Sequence, residues 1–85
     1  MKEFKYVITD ELGLHAKPAA LLVKEVKKFT CTVRLTTEKK SADARGMMGI
    51  MSLGVKKGQE VTVSCDGTDE DSAVEVLKNF FGANL

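Results

Sequence analysis

The sequence predicts an α+β fold: an open-faced, two-layer sandwich with a four-stranded, mostly antiparallel sheet covered on one face by three helices. Three observations predict it. Several short stretches alternate apolar and polar residues with period two, which suits strands of a sheet with one wet and one covered face. Two longer stretches carry the helical period and can supply the cover. The two kinds of segment interleave in the order strand, helix, strand, strand, short helix, strand, helix.

The first strand is EFKYVIT, where Phe4, Tyr6 and Ile8 fall on one side and Glu3, Lys5 and Thr9 on the other. A helix follows, with Ala19, Leu22, Val23 and Val26 at i, i+3, i+4 and i+7. CTVRLTT is the second strand, with Cys31, Val33 and Leu35 inward. The polar turn TEKK leads to a short strand at Lys40 to Asp43. RGMMGIMSLG then reads as a short helix bounded by glycines. KKGQ turns the chain into EVTVSCDG, the last strand, with Val61, Val63 and Cys65 inward. The final helix has Ala73, Val76, Leu77 and Phe80 as its apolar face. Thr68 is its expected N-cap, and Asp69, Glu70 and Asp71 complement the positive end of its dipole rather than forming an acid/base pair.

Size and charge exclude whole classes of function. The 85 residues form one expected domain, residues 1–85, near the small end of what buries its own core. The formal net charge of +1 gives no general attraction to nucleic acid or to anionic membranes. No signal peptide or membrane-spanning run is recognisable, so a cytoplasmic protein without membrane insertion is expected. Cys31 and Cys65 have neither CxxC nor Cys/His spacing, so they are expected as free, inert core thiols. No glycine spacing matches a nucleotide site and one histidine cannot hold a metal alone, so no cofactor is expected.

The chemistry concentrates in GLHAKPAALLV, Gly13 to Val23, which holds the only histidine and the only proline. With His15 as N-cap, Pro18 takes the third helical position, where a missing N–H costs nothing. The amides of Ala16 and Lys17 then point outward at the positive end of the helix dipole, a ready anion site. Lys17 adds a full positive charge. A neutral imidazole beside such a cradle is a nucleophile suited to a phosphoryl group. From the residues alone, a lone histidine at a helix start is also simply a polar cap, and both readings stand at this point.

Two stretches carry a resemblance. GLHAKPA is similar to the GLHARPA signature of the HPr family, the histidine phosphocarriers of the bacterial sugar phosphotransferase system. MMGIMSLGVKKGQEVTVSCDG resembles the second signature of that family, and the likeness runs through essentially the whole chain. The resemblance implies a four-stranded antiparallel sheet with three helices. It implies a carrier rather than an enzyme, with His15 accepting a phosphoryl group on Nδ1 from enzyme I, itself charged by phosphoenolpyruvate. The IIA domains of sugar transporters then receive it, and transcriptional regulators are further candidate partners. Ala16, Ala20, Lys24, Arg45, Met47, Met48 and Met51 become the expected docking surface, with Lys17 and Lys27 in its polar rim. One or two of the three methionines are expected to fill the core and the rest to be exposed. Lys27 reads equally well as part of a solvated helix face. A monomer is expected.

Two positions depart from the family pattern. Lys17 replaces the usual arginine, keeping the charge and losing the bidentate fork. Gly46 stands where the family commonly carries a serine, phosphorylated by a separate kinase in many Gram-positive bacteria, so that control is not expected here. Two further functions remain open on the sequence: a regulatory binding module that uses the same docking face without carrying phosphate, and a nitrogen-branch paralogue of the sugar carrier. His15 argues against the first. A small anion-binding or RNA-binding α+β domain is disfavoured by the near-neutral charge and by the lack of aromatics among basic residues.

Overall fold

The chain begins with β1 (Lys2–Val7), and the computed structural model describes residues 1–85. It continues with α1 (Ala16–Val26), β2 (Thr32–Thr36), β3 (Ser41–Asp43), α2 (Met47–Ser52), β4 (Glu60–Asp66) and α3 (Glu70–Asn84). All strand pairs are antiparallel, in the order β1-β4-β2-β3. β1 and β2 flank β4 and therefore point the same way, so α1 carries the chain over β4 from one to the other. α2 does the same between β3 and β4, crossing β2. Two split strand–helix–strand units thus interlock, and their helices fall on one face.

Register sorts the residues between the two faces. The cross-strand row Phe4, Val63, Leu35, Ala42 spans all four strands and faces the helices. One residue along, the row Lys5, Thr62, Thr36, Ser41 faces solvent. The core beneath the helices holds Ile8, Leu22, Val26, Val33, Leu35, Ile50, Val61, Val63, Leu77 and Phe81, together with both cysteines. Cys31 and Cys65 are free thiols. Burial first, then the neighbouring Asp69 carboxylate, pushes the Cys31 thiol up to about 12, and burial also raises Cys65. Both stay protonated and unreactive near neutral pH.

α3 departs from its expected face. Ala73 and Leu77 are buried, but the third buried residue is Phe81, while Val76 is 37% exposed and Phe80 only partly covered. Phe81 wins because it meets aromatic edges from the sheet, with ring centroids 5.8 Å from Phe4 and 5.5 Å from Tyr6. Such edge-to-face pairs add about 0.5–1.5 kcal/mol each beyond the area they bury.

The start of α3 also differs. Its N-cap is Asp69 rather than Thr68, and the Asp69 side chain makes no cap bond. The carboxylate instead accepts the N–H groups of Thr30 at 2.8 Å and Cys31 at 3.0 Å, where the chain enters β2. Those bonds, the one from Thr30 foremost, hold Asp69 below the usual carboxylate range. Glu70 accepts the Gly67 N–H at 3.1 Å. The acidic residues are expected here for the helix dipole; Asp69 in addition stitches α3 to the entry of β2.

In α2 only Ile50 is buried. None of the three methionines fills the core, contrary to expectation: Met47, Met48 and Met51 are all exposed, Met48 at 85%. A helix of six residues has one inward position to give, and the branched Ile50 occupies it.

Candidate functional site

The segment between β1 and α1 is tied down at three places. Thr9 and Asp10 donate their N–H groups to the Leu85 carbonyl beyond α3, at 2.6 and 2.8 Å. Leu14 donates to Val55, in the connection between α2 and β4, at 3.0 Å. Gly13 has φ +67°, and a Cβ there would run into the Val55 carbonyl and lie 2.8 Å from Lys56 Cα. Only glycine lets the two backbones approach this closely. Leu14 and Ala19 are both buried on either side of the N-cap, the arrangement of a hydrophobic staple.

His15 is the N-cap of α1, with the extended backbone of that position and no cap bond from its own side chain. Its ring is therefore free for other work, and its side chain is 32% exposed. Pro18 is the third helical residue, as expected, and it is buried. The amides of Ala16 and Lys17 make no hydrogen bond within the chain, and no acidic residue lies in the first turn of α1. The helix end supplies positive potential and two open N–H donors next to His15, and the exposed Lys17 lines the same cleft as His15.

The imidazole opens into a cleft of about 310 Å³ whose walls include Leu12, Lys17, Pro18 and Leu21 from the α1 side and Ala83 and Asn84 from the end of α3. Asp10 belongs to the same cleft, with Oδ1 3.8 Å from His15 Nε2. A larger concavity, about 600 Å³, lies at the β2–β3 turn among Thr36, Thr37, Lys39 and Gln59. It holds no histidine or cysteine, so size does not identify the site here. No group of three or more His, Cys, Asp or Glu side chains comes together that could hold a metal.

The residues expected to dock partners lie on exposed faces of two neighbouring helices. Ala16, Ala20 and Lys24 line one stripe of α1 at i, i+4 and i+8. Ala16 and Ala20 are exposed and Lys24 is partly exposed, and the three methionines are exposed on α2, which packs against α1. Arg45 is exposed but partly committed, its guanidinium donating to the Phe29 carbonyl. Lys27 is the C-cap of α1, roughly 18 Å along the helix from His15. That distance favours its role as a cation at the negative helix end over a role at the histidine. Gly46 is the N-cap of α2, with no atom nearer than 3.9 Å to where a Cβ would stand.

The reading of the sequence did not reach Asp10, Leu12 or Leu21. Leu12 is 73% and Leu21 40% exposed, both on the rim of the histidine cleft. The i, i+3, i+4 pattern hides Leu21 because it sits beside the core residue Leu22. An aspartate five residues before the histidine carries no local signature, since the loop alone brings them together.

Comparisons with known proteins bear on the chain as a whole. Residues 2–83 match the family described as "PTS HPr component phosphorylation site". The chain is 37% identical over 78 residues to the phosphocarrier protein HPr of Mycoplasma capricolum subsp. capricolum, covering 92% of this chain and 88% of that protein. It superposes on a crystal structure of HPr from Thermoanaerobacter tengcongensis with a TM-score of 0.92 at 40% identity, covering 98% and 93% of the two chains. The catabolite repression protein Crh of Bacillus subtilis, solved as a dimer with a swapped domain, matches with a TM-score of 0.78 at 39% identity over 100% and 98% of the chains. Helix start, histidine and whole-chain likeness lead to one conclusion: this chain belongs to the HPr family of phosphocarriers of the phosphotransferase system.

Proposed function

We propose that His15 accepts a phosphoryl group on Nδ1 from phosphoenolpyruvate-charged enzyme I and passes it to the IIA domains of sugar permeases. The observation that carries the reading is the start of α1: a partly exposed imidazole at the N-cap, two open amides and the exposed Lys17, with no acidic side chain in the first turn. Nδ1 attacks phosphorus, and the arriving dianion is met by donors already in place, which need no rearrangement as charge develops. Lys17 acts as a point charge, so the group is held without the directional grip of a guanidinium.

The exposed methionines of α2 and the Ala16, Ala20, Lys24 stripe of α1 are the docking surface. Flexible apolar side chains suit a face that meets unrelated partners in turn. Arg45 and Lys24 supply charge at its edge for acidic partners. The chain works as one domain in the cytoplasm and as a monomer; no helix is long and apolar enough to cross a membrane, which is compatible with that setting.

A second reading has one specific observation behind it, the likeness to Crh at 39% identity over the whole chain. In that reading the same face binds a regulatory partner and His15 carries nothing, and transcriptional regulators are the partners to test. One experiment separates the two. Incubated with enzyme I and phosphoenolpyruvate, the protein should gain one acid-labile phosphate, and His15→Ala should gain none while keeping its fold. Stability should change by no more than about 1 kcal/mol, since His15 makes no cap bond. Acid-labile phosphate on His15→Ala would refute the assignment of the nucleophile.

A further inference from the structure

Asp10 lies five residues before His15 and is fixed from several directions. Its N–H donates to the Leu85 carbonyl at 2.8 Å, and its carbonyl accepts the Gly13 N–H at 2.9 Å. Its Oδ1 accepts the Leu12 N–H at 2.8 Å, which aims the carboxylate. That same oxygen stands 3.8 Å from His15 Nε2. No lysine or arginine pairs with Asp10, so the imidazole is its one ionisable partner within ion-pair distance. At 3.8 Å the contact is longer than a direct hydrogen bond and acts through charge or through one bridging water.

We propose that Asp10 is a positioning residue for phosphoryl transfer: its carboxylate keeps the proton of the neutral imidazole on Nε2 and leaves the Nδ1 lone pair free to take the phosphoryl group. The inference rests on the reading of His15 as the phosphoryl acceptor. A ring nitrogen that faces a carboxylate carries the proton, and the opposite nitrogen is left as base or nucleophile. With the proton on Nε2, transfer needs no proton movement in either direction. The Nδ1 lone pair forms the N–P bond while the donor's bond to phosphorus breaks and its electron pair stays with the donor. The ring then carries one positive charge, shared towards Nε2–H and balanced by Asp10, beside the two negative charges of the phosphoryl group. On delivery the N–P bond breaks, its electron pair returns to Nδ1, and the neutral Nε2–H ring is regenerated.

Asp10→Asn is the variant to test. The carboxamide oxygen still accepts the Leu12 N–H, so the loop is kept, while the charge facing Nε2 is gone. Ring-nitrogen NMR of the unphosphorylated protein, at a pH where the ring is neutral, should show wild type protonated at Nε2. The Nδ1–H tautomer should rise at least about threefold in the variant. Phosphoryl transfer from charged enzyme I should slow by about tenfold, and less at high salt, because a charge effect is screened. Asp10→Glu should recover both readouts in part. Equal tautomers and equal rates in wild type and Asp10→Asn, or a change in one readout without the other, would overturn the role of Asp10. Failure of the wild type to accept any phosphoryl group would instead overturn the reading of His15 itself.

Discussion

The starts of α1 and α3 are the same structural object put to opposite uses. Each is a helix N-terminus with orphan amides and a positive dipole end, and each follows shortly after a glycine at positive φ, Gly13 and Gly67. At α3 the chain fills the end with its own carboxylates. Asp69 reaches back to the amides of Thr30 and Cys31, and Glu70 and Asp71 occupy the first turn. Neither cap side chain makes a cap bond, but at α1 there is no acidic residue in the first turn and a cation, Lys17, follows the cap. The closed helix end is a structural joint, and the open one is the site proposed for the phosphoryl group. The positive potential of a helix end means little until one knows whether the chain neutralises it itself.

The sharpest way to break this contrast is to close the open end. Lys17→Glu gives α1 an acidic first turn like that of α3. The helix itself should gain slightly, as carboxylates do at N-termini. Phosphorylation by charged enzyme I should nonetheless fall by about 100-fold or more, because a cation facing the dianion has become an anion. Rapid-quench phosphotransfer kinetics would measure it. A variant that is phosphorylated as fast as wild type would mean that the amides and dipole alone suffice.

Opening the closed end should cost stability and leave chemistry alone. The Asp69 carboxyl lies below its ordinary range in the folded protein, so its contribution is fully present above the unfolded value and is lost as pH falls through the folded value. Asp69→Asn should therefore be less stable than wild type near neutral pH. The difference should shrink as pH falls below the ordinary carboxylate range, with phosphorylation of His15 unchanged. Urea denaturation across that acidic range would show it, and a constant difference at all pH values would mean that the carboxylate charge is not what joins α3 to β2.

How much of this contrast could be read from the chain differs between the two ends. The α1 start is written locally: Gly13, His15 and Pro18 lie within six residues of an apolar helical repeat, and each limits what the backbone can do there. The α3 start is not. Thr68 satisfies every local rule for a cap, yet Asp69 takes the position because its carboxylate serves amides 38 and 39 residues away. The buried face of α3 was settled in the same way, since Phe80 and Phe81 are equal in hydrophobicity and only Phe4 and Tyr6 break the tie. Asp10 has no local signature because its partner is reached through a loop with no period. The sheet was legible because alternation and register reduce to nearest-neighbour rules.

α2 offers the smallest perturbation. Gly46 caps it in extended conformation with open space around the Cβ position. Gly46→Ser should add a cap hydroxyl and change stability by only about 0.3 kcal/mol. It should also create a site for the kinase that phosphorylates serine in related carriers, whereas the wild type, with Gly46, should take no acid-stable phosphate from ATP. Stoichiometric phosphate on Ser41 or Ser52 of the wild type would show that such control operates elsewhere in the chain.

The central claim is that the open start of α1 holds the phosphoryl group, and amide chemical shifts read that directly. Spectra should be recorded before and after phosphorylation by enzyme I and phosphoenolpyruvate. Phosphorus should couple to Nδ1 of His15, and the largest downfield amide shifts should fall on Ala16 and Lys17, as expected for N–H groups that gain an anionic acceptor. The amides of Asp71 and Ser72 at the start of α3 should not move. A phosphorylated protein in which Ala16 and Lys17 stay where they were, or in which the α3 amides shift as much, would contradict the account.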